Sequence, residues 1–153
     1  MISILDLLLP EAILINLDAA DSSDVITRMG SVLHASGRVH DGFVEATLKR
    51  EASMPTGLPL MGEINAAIPH VDIEFVKKSS LALATLSHEV AFCNMVNPEE
   101  KVPVRLVIML ALDQPKSQVE TLQEVAGLLQ NPEVVSGLML AKTPEEILTA
   151  LQG

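Results

Sequence analysis

The residues best suited to chemistry in this chain are a histidine behind a proline and an arginine upstream of it. His70 closes the run Ala66-Ala67-Ile68-Pro69-His70. Arg50 lies within Lys49-Arg50-Glu51-Ala52-Ser53-Met54-Pro55-Thr56-Gly57-Leu58. Neutral imidazole is a good nucleophile near pH 7, and a carbonyl or carboxylate on its second nitrogen sets the tautomer. Arginine supplies the planar fork of donors that a phosphoryl group accepts. Phosphoryl transfer asks little of a protein beyond positioning and charge stabilisation, so these two residues are enough to suggest it.

Other polar side chains have simpler readings. Glu63, Asp72 and Glu74 flank His70; they either orient it and repel anions or are solvated loop carboxylates. His88-Glu89 is expected in a solvated turn at a strand end, and His34 and His40 at the surface around Gly37. Cys93 has no base or cation near it in sequence and is expected to be a small buried hydrophobe. The seven methionines are expected to fill an aliphatic core. The four His and one Cys show no paired zinc-ligand spacing, so no metal and no cofactor is expected.

The elements that must hold these residues follow from periodicity and punctuation. Residues 13–17 read as a short strand. Asp21 to Asp24 offers N-caps for a helix with Val25, Ile26, Met29, Val32 and Leu33 on one face, which Gly37 ends. His40-Asp41 is expected to open a second helix, running to about Arg50-Glu51. The segment from Ala52 to Asn65, with Pro55, Gly57, Pro59 and Gly62, reads as a loop. Ala66 to Pro69 reads as a short buried strand that Pro69 ends, leaving His70 just past it on a rigid support. Leu81 to Leu86 and Val104 to Leu112 read as two more buried strands, with a turn at Asn97 to Glu100. A helix is expected from Pro115 to Gln130 with Val119, Leu122, Val125, Ala126 and Leu129 on one face. Asn131-Pro132 breaks it. Two shorter helices follow, at Val134 to Leu140 and Pro144 to Leu151, the last capped by Thr143 with Glu146. Continuous apolar strands covered on both faces predict a three-layer α/β/α sandwich, a small mixed sheet flanked by helices.

Composition sets the limits. The 153 residues suit a single domain over 1–153. The net charge of −10, with no basic cluster, excludes nucleic-acid binding and favours basic protein partners. Hydrophobic residues reach 48%, a surplus that hints at surface docked on partners. A lone cysteine fits a reducing, cytoplasmic location. The start lacks a basic n-region and is not expected to be a signal peptide, and no apolar run is long enough to span a bilayer.

The Arg50-Glu51 pair, the Pro55-Thr56-Gly57-Leu58 loop and the Ala67-Ile68-Pro69-His70 strand end together resemble the signature of phosphotransferase-system IIA domains of the fructose/mannitol superfamily. Almost the whole chain shares the likeness, including Pro103 to Ile108 and the helix after Asp113. Arg50-Glu51 with Pro55 to Leu58 is similar to the galactitol branch in particular. The resemblance implies a phosphotransferase in which His70 accepts phosphate from the phosphocarrier HPr. It passes the phosphate to a cysteine of the IIB component, and the membrane component IIC couples this to uptake of a sugar or polyol. It makes His70 the nucleophile, Arg50 the phosphate clamp, and Thr56 the source of a hydroxyl or backbone donor. Many relatives carry a second histidine near the start of the helix after Asp113. Here that position matches Gln118, a neutral donor, as in galactitol-like members. Val71 replaces the small residue that often follows the histidine. A nitrogen-related IIA protein, which signals through its phosphorylation state, is the alternative that the same histidine would serve.

Overall fold

The computed structural model describes residues 4–152, so the part of the leader reading that rests on Met1, Ile2 and Ser3 lies outside the described residues. Five strands form one mixed sheet: β1 (Leu8–Leu17), β2 (Gly57–Leu58), β3 (Asn65–Ala67), β4 (Ser80–Cys93) and β5 (Lys101–Ala111), in the order β1-β4-β5-β3-β2. β4 and β5 pair antiparallel, β1 runs parallel to β4, and β3 runs parallel to β5. Among the described residues six α-helices accompany it: α1 (Ile4–Leu7), α2 (Ser22–Ala35), α3 (Phe43–Ser53), α4 (Pro115–Leu129), α5 (Pro132–Leu140) and α6 (Pro144–Gln152).

The sheet divides the core into two layers. On one face Val25, Ile26, Met29 and Leu33 of α2 and Phe43 of α3 pack on Ala82, Ala84 and Leu86 of β4. On the other, Val125 and Leu129 of α4, Leu138 of α5 and Ile147 of α6 pack on Leu81 and Leu83 of β4 and on Ile108 and Leu110 of β5. This is the expected three-layer arrangement. The alternation along β4 follows from successive side chains pointing to opposite faces.

The caps behave as their residue types dictate. The Asp21 side chain accepts from the N–H of Asp24 at 2.8 Å and so caps α2. Past its end Gly37 has φ 73°, and the Arg38 N–H returns to the Leu33 carbonyl at 3.0 Å, a helix stop that needs a left-handed residue. Thr143 Oγ1 accepts from the Glu146 N–H at 3.2 Å, capping α6.

Several expectations are corrected. β1 begins five residues earlier than residue 13, at Leu8; Pro10 and Glu11 hid it, and both are exposed on an edge strand, where a missing N–H costs nothing. The second helix opens at Phe43 after Gly42, not at His40-Asp41, and runs to Ser53. The segment from Ala52 to Asn65 is not loop throughout, because Gly57–Leu58 pairs antiparallel with Ala66 and Ala67. β4 continues past Leu86 to Cys93, so His88-Glu89 lies inside a strand. It sits exposed where the β4–β5 register shifts between Thr85 and Val90. At this irregularity Arg105 Nε donates to the Leu86 carbonyl at 2.8 Å, pairing a group that the ladder leaves open. Val119 is 56% exposed, and Thr121 takes the buried position on that turn of α4.

Candidate functional site

β3 leads directly to the site. Its register against β5 pairs Ala66 with Leu106 and Ala67 with Val107, and His70 bridges Leu110 in the same parallel sense. The Leu110 N–H donates to the Pro69 carbonyl at 3.0 Å. The backbone of His70 is thus tied to the central sheet even though β3 ends at Ala67, two residues before the expected end at Pro69. On the other side, the Ile68 N–H donates to the Thr56 carbonyl at 3.3 Å.

His70 is 9% exposed. Nδ1 lies 2.8 Å from the Ile68 carbonyl oxygen. A carbonyl can only accept, so Nδ1 carries the proton and Nε2 keeps its lone pair. Burial pushes the His70 pKa down from the ordinary imidazole value. The Ile68 carbonyl opposes this, the Arg50 guanidinium adds to it, and the Asp72 carboxylate works against it. Desolvation wins, and the ring is neutral at physiological pH.

His70 and Arg50 line one open cleft of about 370 Å³. Its walls come from the end of α3 and the following loop (Ser53, Met54, Pro55, Thr56) and from the β4–β5 connection (Met95, Pro98). Arg50 Nη1 donates to Asp72 Oδ1 at 3.2 Å. Its Nε is buried and has no partner among the described residues. A buried guanidinium N–H without an acceptor costs free energy.

Thr56 also lines the cleft, but both of its donors are engaged. Its N–H and hydroxyl each donate to Glu51, at 2.8 Å to Oε2 and 2.8 Å to Oε1. Neither is free for a phosphoryl group in this arrangement. Gln118, in the first turn of α4, donates from Nε2 to the Val71 carbonyl at 3.4 Å, which puts it beside the residue after His70. Asp72 pairs with Arg50 rather than with the His70 ring, whose Nδ1 is held by the Ile68 carbonyl instead.

The remaining polar residues lie away from the cleft. His34 Nε2 contacts Asp41 at 2.6 Å, and His88 Nδ1 lies 3.5 Å from Asp18. Cys93 is only half-buried, and Lys101 Nζ approaches its sulfur at 3.4 Å, which corrects the expectation of an inert buried thiol. The cation comes from the strand opposite, since Cys93 pairs with Lys101 in the β4–β5 ladder, so sequence distance concealed it. Sequence reasoning also missed the Glu51–Thr56 clasp. A carboxylate at a helix end facing a Pro-Thr turn was its only signal. Among the described residues no group of three or more His, Cys, Asp or Glu could hold a metal ion. Among the described residues no helix is long and apolar enough to cross a membrane.

The sequence model of the family described as "Phosphoenolpyruvate-dependent sugar phosphotransferase system, EIIA 2" matches residues 6–153. The chain is 34% identical over 119 residues to the galactitol-specific EIIA component of the phosphotransferase system of Escherichia coli K12, covering 78% of each chain. Its fold matches the IIA protein in the complex of enzyme IIAMTL with phosphorylated enzyme IIBMTL from E. coli. The TM-score is 0.75 at 29% identity, over 94% of this chain and 95% of that one. The nitrogen regulatory protein IIA-Ntr from Neisseria meningitidis matches with a TM-score of 0.74 at 24% identity, over 97% and 98% of the two chains, and shares the fold.

Proposed function

Given that the chain belongs to the EIIA type 2 family of the phosphoenolpyruvate-dependent sugar phosphotransferase system, we propose that it carries phosphate on Nε2 of His70 for uptake of galactitol or a related polyol. The observation that carries the site assignment is the 2.8 Å bond from Nδ1 to the Ile68 carbonyl, which leaves Nε2 as the free lone pair in the cleft.

The donor in this reading is phosphorylated HPr. The His70 Nε2–P bond forms as the donor's N–P bond breaks, and the donor histidine leaves with its electron pair. The proton on Nδ1 stays in place, so the phosphorylated ring is cationic, and the Ile68 carbonyl stabilises it. The Arg50 Nε and the remaining guanidinium N–H groups meet the phosphoryl oxygens. Gln118 lies close enough to add a neutral donor. Thr56 serves by shaping the loop, because its donors are spent on Glu51. In the second half-reaction a cysteine thiolate of IIB attacks the phosphorus and Nε2 leaves. IIC then couples transfer to uptake. Exposed apolar side chains beside the cleft, Met54 at 58% and Val96 at 89%, support docking of protein partners here. The whole chain, residues 1–153, acts as one phosphocarrier domain in the cytoplasm.

The sugar assignment rests on the likeness to the galactitol-specific component. Its test is to add the purified chain to membranes that contain galactitol IIB and IIC but lack their own IIA, together with phosphoenolpyruvate, enzyme I and HPr. Phosphorylation of galactitol only when the chain is present supports the assignment. Transfer to mannitol-specific IIB with none to the galactitol pair overturns it.

A further inference from the structure

Glu51 is the neighbour of Arg50 on α3, yet it serves a different segment. Its two carboxylate oxygens take both donors of a single residue, the N–H and the hydroxyl of Thr56, each at 2.8 Å. The carboxylate is largely buried and forms no salt bridge among the described residues. Burial pushes its pKa up, and the two bonds from Thr56 pull it back. A buried carboxylate without a cation needs such compensation, and here one threonine supplies all of it.

The bonds continue inward from Thr56. Its carbonyl accepts from the Ile68 N–H at 3.3 Å, and the Ile68 carbonyl in turn accepts from His70 Nδ1 at 2.8 Å. The next residue is pinned as well, since Gly57 packs against the backbone of Cys93 and its carbonyl accepts from the Met95 N–H at 2.9 Å. Ile68 is therefore held on its N–H side by the clasped loop while its carbonyl holds the histidine.

We propose that Glu51 is a positioning residue of the phosphoryl site: by clasping Thr56 it sets the Thr56–Ile68 pairing that aims the Ile68 carbonyl at His70 and so fixes the ring tautomer. This rests on His70 being the phosphoryl acceptor. Arg50 and Glu51 then divide the work of one helix end, the first meeting the phosphate and the second holding the nucleophile in its reactive form.

The test uses the full chain with Glu51→Gln, Thr56→Val and both together. Glutamine keeps the size but presents an amide NH₂ where one Thr56 donor needs an acceptor. Two readouts apply: the ¹⁵N shifts of the His70 ring in the unphosphorylated protein, and kcat and KM for transfer from phosphorylated HPr. Glu51→Gln is expected to leave KM unchanged and lower kcat on the order of tenfold, as loss of one hydrogen bond to a charged group implies. The ring is expected to pass from a single tautomer to a mixture. Thr56→Val shifts both readouts the same way, and the double variant is no worse than the poorer single one, because both break one relay. Glu45→Gln, an exposed carboxylate on the same helix, changes neither. A folded Glu51→Gln protein with His70 still wholly Nδ1-protonated and kcat unchanged overturns the proposal, as do additive losses. Should Glu51→Gln not fold, Thr56→Val is judged by the same two readouts. If the wild-type chain takes up no phosphate, the acceptor reading falls, whereas the tautomer in the variants still decides the relay.

Discussion

At the scale of single residues, the structure sets two protonation states of His70. The Ile68 carbonyl holds the His70 proton on Nδ1, and burial lowers the ring's affinity for a second proton. The sign of the consequence is definite. A histidine whose folded pKa is depressed stays neutral to lower pH than a free one, so the ring keeps its free lone pair into mild acid. In ¹⁵N-detected titration His70 should protonate below the ordinary imidazole value of about 6.5, and the rate of phosphate acceptance should fall only through that lower range. A His70 titrating above that value would mean that desolvation does not dominate. For Arg50 the fork matters more than the charge. Arg50→Lys should fold normally, yet lose roughly 1–3 kcal/mol of transition-state stabilisation, read as a slower exchange with phosphorylated HPr. Wild-type rates in that variant would make Arg50 an ordinary helix-end cation paired with Asp72.

At the scale of elements, the site stands where a short strand pair meets the β4–β5 connection. Gly57 is the point of closest approach. A Cβ there would lie 2.6 Å from the Cys93 carbonyl oxygen, which belongs to the backbone and cannot swing away. Gly57→Ala should therefore destabilise the protein by about 1–3 kcal/mol, seen as a lower Tm, and should loosen the Thr56 loop. An unchanged Tm would show that β2 is free to shift. Gln118 joins α4 to the site through Val71. Gln118→Ala should slow phosphate exchange only modestly, since a neutral hydrogen bond contributes about 0.5–1.5 kcal/mol. The strand that leads to His70 was legible in the sequence from the apolar run before Pro69, although it ends at Ala67 and not at Pro69. The pairing of Gly57–Leu58 was not, because two residues carry no periodicity and Gly and Pro around them signal a turn. The tail of β4 was hidden for a related reason. Ser87, His88 and Glu89 are exposed at a register shift, and their polarity reads as a turn although the backbone remains extended.

At the scale of the whole molecule, the sheet isolates two aliphatic layers and gives one end to chemistry. The order β1-β4-β5-β3-β2 puts β3 next to a central strand, so the histidine inherits the rigidity of the core. Binary pattern and composition made this architecture readable, because continuous apolar strands need helices on both faces. They could not show which side chains meet between elements. Lys101 beside Cys93 and Glu51 around Thr56 depend on register and on a loop path that no spacing rule supplies. The central claim is that His70 is a phosphate carrier. It is tested most directly by incubating the chain with phosphoenolpyruvate, enzyme I and HPr and measuring its intact mass. One added phosphoryl group is predicted, lost in acid, retained in base, and absent from His70→Ala. A mass unchanged while HPr is fully phosphorylated, or a phosphoryl group retained by His70→Ala, would contradict it.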